Sequence, residues 1–179
     1  FLSIDGRHVT TRPIKGTAAD GLELQSSSKD QAENVMIVDL ARNDLGRVCE
    51  FGSVRVPGLC ELEAHPGLHH LVSTVTGTLR SDVGYGELFR ALLPAASITG
   101  APKPRVLRII DELEPVDRGV YCGAIGWIDT ERHRADWNVA IRTFEVSPDA
   151  LHFGVGAGIT IDSDADAEWD ETELKAAHH

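Results

Sequence analysis

The stretch GVYCGAIGWIDTERHRADWNVAIRTFEVSPDALHFGV, residues 119–155, alternates apolar with polar residues and is punctuated by Glu131-Arg132 and Pro148-Asp149. That pattern predicts three consecutive strands, over 119–129, 134–146 and 151–155, folded as an antiparallel meander. Working outward, residues 1–9 alternate around Asp5-Gly6 as a hairpin, with 10–14 continuing its second strand, and 71–77 is a β-branched strand. Residues 51–56 read as a short strand ending in a Pro57-Gly58 turn, and 20–28 as a polar loop. Helices are predicted over 29–45, with Val35, Val38, Ala41 and Leu45 on one side and Gly46 as terminator, over 85–93, 105–113 and 168–175. Strands at both ends with helices between describe an α+β domain rather than alternating βαβ units.

The 179 residues, 42% hydrophobic and 25% charged, suffice for one domain with a core. A formal charge of −11 opposes a nucleic-acid or anionic-membrane surface, which needs concentrated Lys and Arg. No apolar run approaches membrane-spanning length and no signal-peptide pattern precedes the first strand, so a soluble, cytoplasmic protein is expected. Cys49, Cys60 and Cys122 are odd in number and lack ligand spacing, and read as reduced, small hydrophobes.

Several patterns point to chemistry. In a helix over 168–175, Glu168 and Glu171 lie three apart and Lys175 four beyond Glu171, so two carboxylates and an ammonium share a face that suits Mg²⁺ bridged to a carboxylic acid, or else a solvated acidic helix. Gly154, Gly156 and Gly158 precede that helix, and three glycines in five residues suggest close approach by a ligand or another backbone. Lys15, between Ile14 and Gly16 at a strand end, is expected either in a cavity where desolvation lowers its pKa or in a surface turn. Of His65, His69 and His70, one is read as functional and two as bystanders, because no ligand set completes a zinc site. Residues 95–104 run from small residues into a helix whose first turn offers free N–H groups.

Seven segments, in order, resemble the chorismate-utilising enzymes: PIKGT at 13–17, ENVMIVDLARNDL at 33–45, HHLVS at 69–73, SITGAPK at 97–103, RGVYCGAIG at 118–126, GAGI at 156–159 and EWDETELK at 168–175. The resemblance implies a helix-flanked, antiparallel two-sheet chorismate-binding domain. It implies Glu33, Glu168 and Glu171 as Mg²⁺ carboxylates, and Tyr121, Arg142 and the backbone at Gly156 and Gly158 as the grip on the enolpyruvyl carboxylate. Thr99 and His70 would stand near the ring and its departing hydroxyl, and Lys175 beside the metal. Lys15 is similar to the lysine of the aminodeoxychorismate synthase branch, where the amine adds to the ring and ammonia from a glutamine amidotransferase displaces it, on the way to para-aminobenzoate and folate. The anthranilate synthase branch is the alternative, and a non-catalytic fragment is a third reading.

The resemblance further implies a family domain that begins upstream of Phe1, with more strands and an acid-base residue. Residues 1–177 are therefore expected to be the C-terminal part of a catalytic domain, N-terminally incomplete and inactive alone, and His178-His179 the remnant of an affinity tag.

Overall fold

The strand that collects the others is β5 (Leu68–Thr78), whose β-branched run suits a pleated surface covered on both sides. A computed structural model describes residues 1–161 and 163–177; the expected tag at 178–179 lies outside the described residues. Pro66-Gly67 turns β4 (Arg55–His65) back onto β5, while β2 (His8–Thr11) and β3 (Ile14–Ala18) lie end to end along the opposite side of β5. β1 (Leu2–Asp5) joins β2 to β7 (Arg134–Val139), and β6 (Ala124–Asp129) closes the row, giving seven antiparallel strands. A second sheet consists of β8 (Phe144–Val146) and β9 (Leu151–Phe153). The helices are α1 (Gly21–Ser26), α2 (Ser28–Gly46), α3 (Tyr85–Leu92), α4 (Ala96–Thr99), α5 (Lys103–Leu113) and α6 (Ala165–Ala177). The fold is thus the expected α+β, helix-flanked two-sheet architecture. No described helix is long and apolar enough to cross a membrane.

The core lies between one face of the large sheet and helices α2 and α3, with Leu2, Val9, Leu45, Val75, Leu88 and Trp137 buried together. Phe89 and Tyr85 of α3 meet the Trp137 indole edge-on, with centroids 5.1 and 5.9 Å away. Cys49 is buried with its thiol against Gly77, where an added Cβ would sit 2.6 Å from Sγ, and burial pushes its pKa up to about 11. All three cysteines are free thiols, as expected.

The structure corrects five local expectations. The polar loop over 20–28 contains α1, nucleated by the Asp20 side chain, which accepts the Leu22 N–H. The short strand at 51–56 is instead a turn with Phe51 fully exposed, and the strand begins at Arg55. Pro57-Gly58 lies within β4, tolerated where the register against β5 shifts twice. The second strand does not continue from β2 through residue 14; β3 is a separate strand. The meander of three strands breaks after Ala140, because residues 141–143 leave the ladder and Arg142 adopts φ 49, so the third strand pairs in its own sheet.

On α2 Val38 and Leu45 are buried and Ala41 packs against the core as expected, but Val35 is exposed, and Asn34, Ile37 and Asp44 join the inward side. Asn34 is wholly enclosed: its Nδ2 donates to Leu71 O at 3.0 Å, its Oδ1 accepts from Ser73 Oγ, and Ser73 Oγ in turn accepts the Cys60 N–H at 2.8 Å. This chain ties α2, β5 and β4 through a place where each polar group has a partner. Asn34→Ala leaves the Leu71 carbonyl and the Ser73 hydroxyl short of a partner; we expect a loss of about 2–4 kcal/mol, read as a fall in the urea midpoint at unchanged slope. A midpoint within experimental error of the parent would show that the network is dispensable.

Candidate active site

The sequence-derived residues fall into two groups. The first sits where β3 meets β5. A register shift between Ile14 and Thr17, with Gly16 at φ 85, sets Thr17 directly across from His70. Thr17 Oγ1 lies 2.8 Å from His70 Nδ1, which leaves Nε2 as the outward atom of the ring. Thr17 was not singled out from the sequence; only the strand register reveals it. His65 packs edge-on against His70 at 5.2 Å, and His69 Nδ1 lies 3.2 Å from the Ala19 carbonyl. Lys15 is partly buried on β3 between these elements. The cavity expected around it belongs to its neighbours instead: a space of about 340 Å³ is lined by Pro13 and Ile14 with Ile37, Ala41, Ala96 and Ile98, and Lys15 is absent from its wall. Alternation along a strand turns adjacent side chains to opposite faces, which separates Ile14 from Lys15.

The second group is built on the break after β7, the glycine run and α6. Gly154 passes under Tyr121 so closely that a Cβ would sit 2.4 Å from the ring, and one at Gly156 would come 3.1 Å from the Tyr121 hydroxyl, whereas Gly158 faces open space. Burial, with Cys122 beside it, pushes the Tyr121 pKa up, keeping the hydroxyl a neutral donor. Arg118 lies over the same ring at 5.8 Å and forks onto Glu114 through Nε and Nη2. On α6, Lys175 Nζ reaches Glu171 Oε1 at 2.6 Å, as the four-residue spacing predicts, and also donates to Gly156 O at 3.0 Å. Glu168 Oε1 accepts from Ser163 Oγ at 2.6 Å, while its Oε2 is buried with no hydrogen-bond partner. A buried carboxylate oxygen without a donor is the kind of atom a cation completes. Arg142 is exposed at the strand break.

Glu33 is partly buried on α2. Among the described residues no three His, Cys, Asp or Glu side chains converge to hold a metal ion, so the expected carboxylates are not drawn into a set of three. Thr99 ends α4, its Oγ1 donating to Ala95 O at 3.2 Å, and Gly100 follows at φ 94. Lys103 ties together the elements around α4: its ammonium bonds Asp44 Oδ2 at 2.7 Å and the Ala91 and Leu92 carbonyls at 3.0 and 3.2 Å, joining α2, the end of α3 and the start of α5. Burial pushes the Asp44 pKa up, with the Lys103 hydrogen bond and charge opposing.

A profile of chorismate binding enzymes matches residues 1–179. The chain is 46% identical to aminodeoxychorismate synthase component 1 of Salmonella typhimurium over 96% of this chain and 40% of that protein. It is 43% identical to anthranilate synthase component 1 of Saccharolobus solfataricus over 93% of this chain and 42% of the relative. The crystal structure of anthranilate synthase component I from Streptococcus pneumoniae superposes with a TM-score of 0.89 at 40% identity, covering 99% of this chain and 41% of that one. The chain thus spans about 40% of the length of the curated bacterial relatives it matches first.

Removing one partner of the enclosed Lys103–Asp44 pair strands the other charge. We expect Lys103→Met to cost about 3–5 kcal/mol at neutral pH in urea unfolding. A carboxyl whose folded pKa is raised adds stability below its unfolded value and loses it as pH rises through the folded one, so the Lys103→Met deficit should narrow as the pH is lowered. A deficit that widens in acid would contradict the burial of the Asp44 charge.

Proposed function

We propose that this chain, which belongs to the chorismate-binding enzyme family, carries the amination chemistry of an aminodeoxychorismate synthase. The observation that carries the reading is Lys15 on β3, two residues before the threonine that hydrogen-bonds His70. An amine placed there suits covalent catalysis, which divides one difficult substitution into two easier ones. In the first step the Lys15 lone pair forms a C–N bond to the chorismate ring, the ring double bonds shift, and the 4-hydroxyl leaves as water with a proton from a neighbouring acid. In the second, ammonia forms its own C–N bond to the ring and the lysine amine departs, so that chorismate and ammonia become aminodeoxychorismate and water. His70, held by Thr17 at Nδ1, presents Nε2 to the departing hydroxyl as the group that moves this proton. Ammonia would come from a glutamine amidotransferase. The product would enter para-aminobenzoate and folate synthesis.

Substrate orientation follows from the second group. Tyr121 offers a neutral hydroxyl beside Gly156, and Arg142 a planar fork suited to the enolpyruvyl carboxylate. Gly158, open above, lets a ligand approach the backbone. Mg²⁺ fits the donors on α6: it takes one or two protein carboxylates and fills the rest of its shell with water and substrate oxygens. Glu168, with its unpartnered buried oxygen, and Glu171 would hold it, Glu33 joining as the resemblance implies and Lys175 balancing charge. Bound there, the ion would neutralise the ring carboxylate. Thr99, its hydroxyl held by Ala95 O at the end of α4, would line the ring.

Because the chain covers about 40% of its bacterial relatives, binding and covalent attachment are read alongside turnover. Mg²⁺ at ten times its Kd should stabilise the parent chain by about 1.4 kcal/mol, a rise of roughly 3–5 °C in Tm. Glu168→Gln should abolish that rise while unfolding no earlier than the parent without Mg²⁺. An equal Mg²⁺ response in both would remove Glu168 from the metal set. Denaturing mass spectrometry after incubation with chorismate and Mg²⁺ should place a chorismate-derived mass on the Lys15 peptide, lost in Lys15→Ala. An adduct elsewhere would end the nucleophile assignment, and fluorescent anthranilate as the product would favour the other branch.

A further inference from the structure

β3 meets β5 in a register that one extra residue has changed. Ile14 pairs with Val72, and an unbroken antiparallel count from there would set Gly16, which has no side chain, opposite His70. The shift puts Thr17 there instead, and Ala18 opposite His69. Gly16 makes the shift possible: at φ 85, with Leu24 Cδ1 2.8 Å and Asp30 Cβ 3.0 Å from where a Cβ would sit, the position has no room for a side chain unless its neighbours move. Bulges recur beside active sites because they re-aim a side chain. The outcome here is one contact, Thr17 Oγ1 at 2.8 Å from His70 Nδ1. Both residues and the ladder between them belong to this chain.

Two further groups flank the ring. On β4 its cross-strand partner is Glu63, so Thr17, His70 and Glu63 form one row over three strands. Glu63 is engaged elsewhere, Oε1 by Arg12 and Oε2 by His65 Nε2 at 3.9 Å, and His65 stands edge-on to the His70 ring. It is Thr17 that bonds a ring nitrogen.

A hydroxyl gives or takes a proton, so the contact allows two arrangements. If Thr17 donated, the neutral ring would hold its proton on Nε2, and passing that proton to a departing hydroxyl would leave an imidazolate. If Thr17 accepts, Nδ1 keeps its proton and Nε2 alone exchanges. Thr17 is exposed, which leaves its own O–H free to turn to solvent while its lone pair accepts. We propose that Thr17 is a positioning residue: its Oγ1 accepts the Nδ1 proton of His70 and makes Nε2 the one ring nitrogen that exchanges a proton with the reacting centre. This role rests on the amination reading, and its protons balance. As Lys15 forms its C–N bond, the charged ring gives the Nε2 proton to the 4-hydroxyl, whose C–O bond breaks and which leaves as water. As ammonia forms its own C–N bond, the lysine departs as a neutral amine with the electron pair of the bond it loses, and the new ammonium returns a proton to Nε2. Nδ1–H stays on Thr17 in both steps, so the ring presents the same nitrogen throughout, as a fixed tautomer requires.

Long-range ¹H–¹⁵N correlation of the imidazole reads the tautomer in the full chain, without chorismate, at a pH where the His70 ring is neutral. The parent and Thr17→Ser should show Nδ1 protonated and Nε2 bare. Thr17→Val keeps the branched shape and removes the acceptor, and should shift the proton to Nε2; a threonine that served only the fold would leave it in place. With chorismate and Mg²⁺, attachment to Lys15 should slow by at least about tenfold in Thr17→Val and stay within about threefold of the parent in Thr17→Ser, with the Mg²⁺-induced rise in Tm alike in all three. Nε2 protonated in the neutral parent ring, one tautomer shared by the parent and Thr17→Val, or equal attachment rates in those two would overturn the proposal. A parent chain with Nδ1 protonated and no added mass on the Lys15 peptide would uphold the Thr17 hydrogen bond and strike the amination reading, because the tautomer is measured without substrate.

Discussion

A single asparagine side chain sets the spacing between the long helix and the sheet. Asn34 is wholly enclosed, and both ends of its amide are engaged by β5, through the Leu71 carbonyl and the Ser73 hydroxyl. An apolar residue could slide along α2 by part of a turn at small cost; an amide with two directional bonds cannot. The same Ser73 holds the Cys60 N–H, at φ 51 on the bulged part of β4, and Ser73 N–H reaches Pro13 O just ahead of β3. Three strands and a helix are therefore indexed to one point, and His70 lies three residues from it.

That indexing explains why the two halves of the candidate site differ in kind. The β3–β5 half is held by a ladder and by the buried network, so Thr17 and His70 meet without flexible loops between them. The half on α6 rests on local contacts: a helix that buries none of its residues, one salt bridge, and a lysine bonded to the glycine run. The proposed Mg²⁺ would act on this half, where one Glu168 oxygen has no hydrogen-bond partner.

Much of this was legible in the sequence because it is local. The Glu171–Lys175 pair follows from four-residue spacing, α2 and α3 from their periodicity and terminators, and β5 from its β-branched run. Hydropathy could not give Asn34 its inward place, since its partners lie 37 and 39 residues away and a polar residue on a helix reads as solvated. A carboxylate on a helix, such as Asp44, can be solvated or paired, and only Lys103, brought across from another helix, decides between them. α1 was hidden by polar composition although Asp20 is a sound cap. The break at 141–143 has no proline or glycine to announce it, and the Thr17–His70 contact exists only once a bulge has set the register.

Cys49 offers a use unrelated to catalysis. Its thiol, pressed against Gly77 with a pKa of about 11, is almost wholly protonated at neutral pH and enclosed by the core. Only the thiolate reacts with alkylating reagents, so this cysteine stays silent until the region between α2 and β5 opens. Cys60, half-buried on β4, is reachable without that opening. Together they make the chain its own stopwatch: the lag between the two labels measures how often the core breathes.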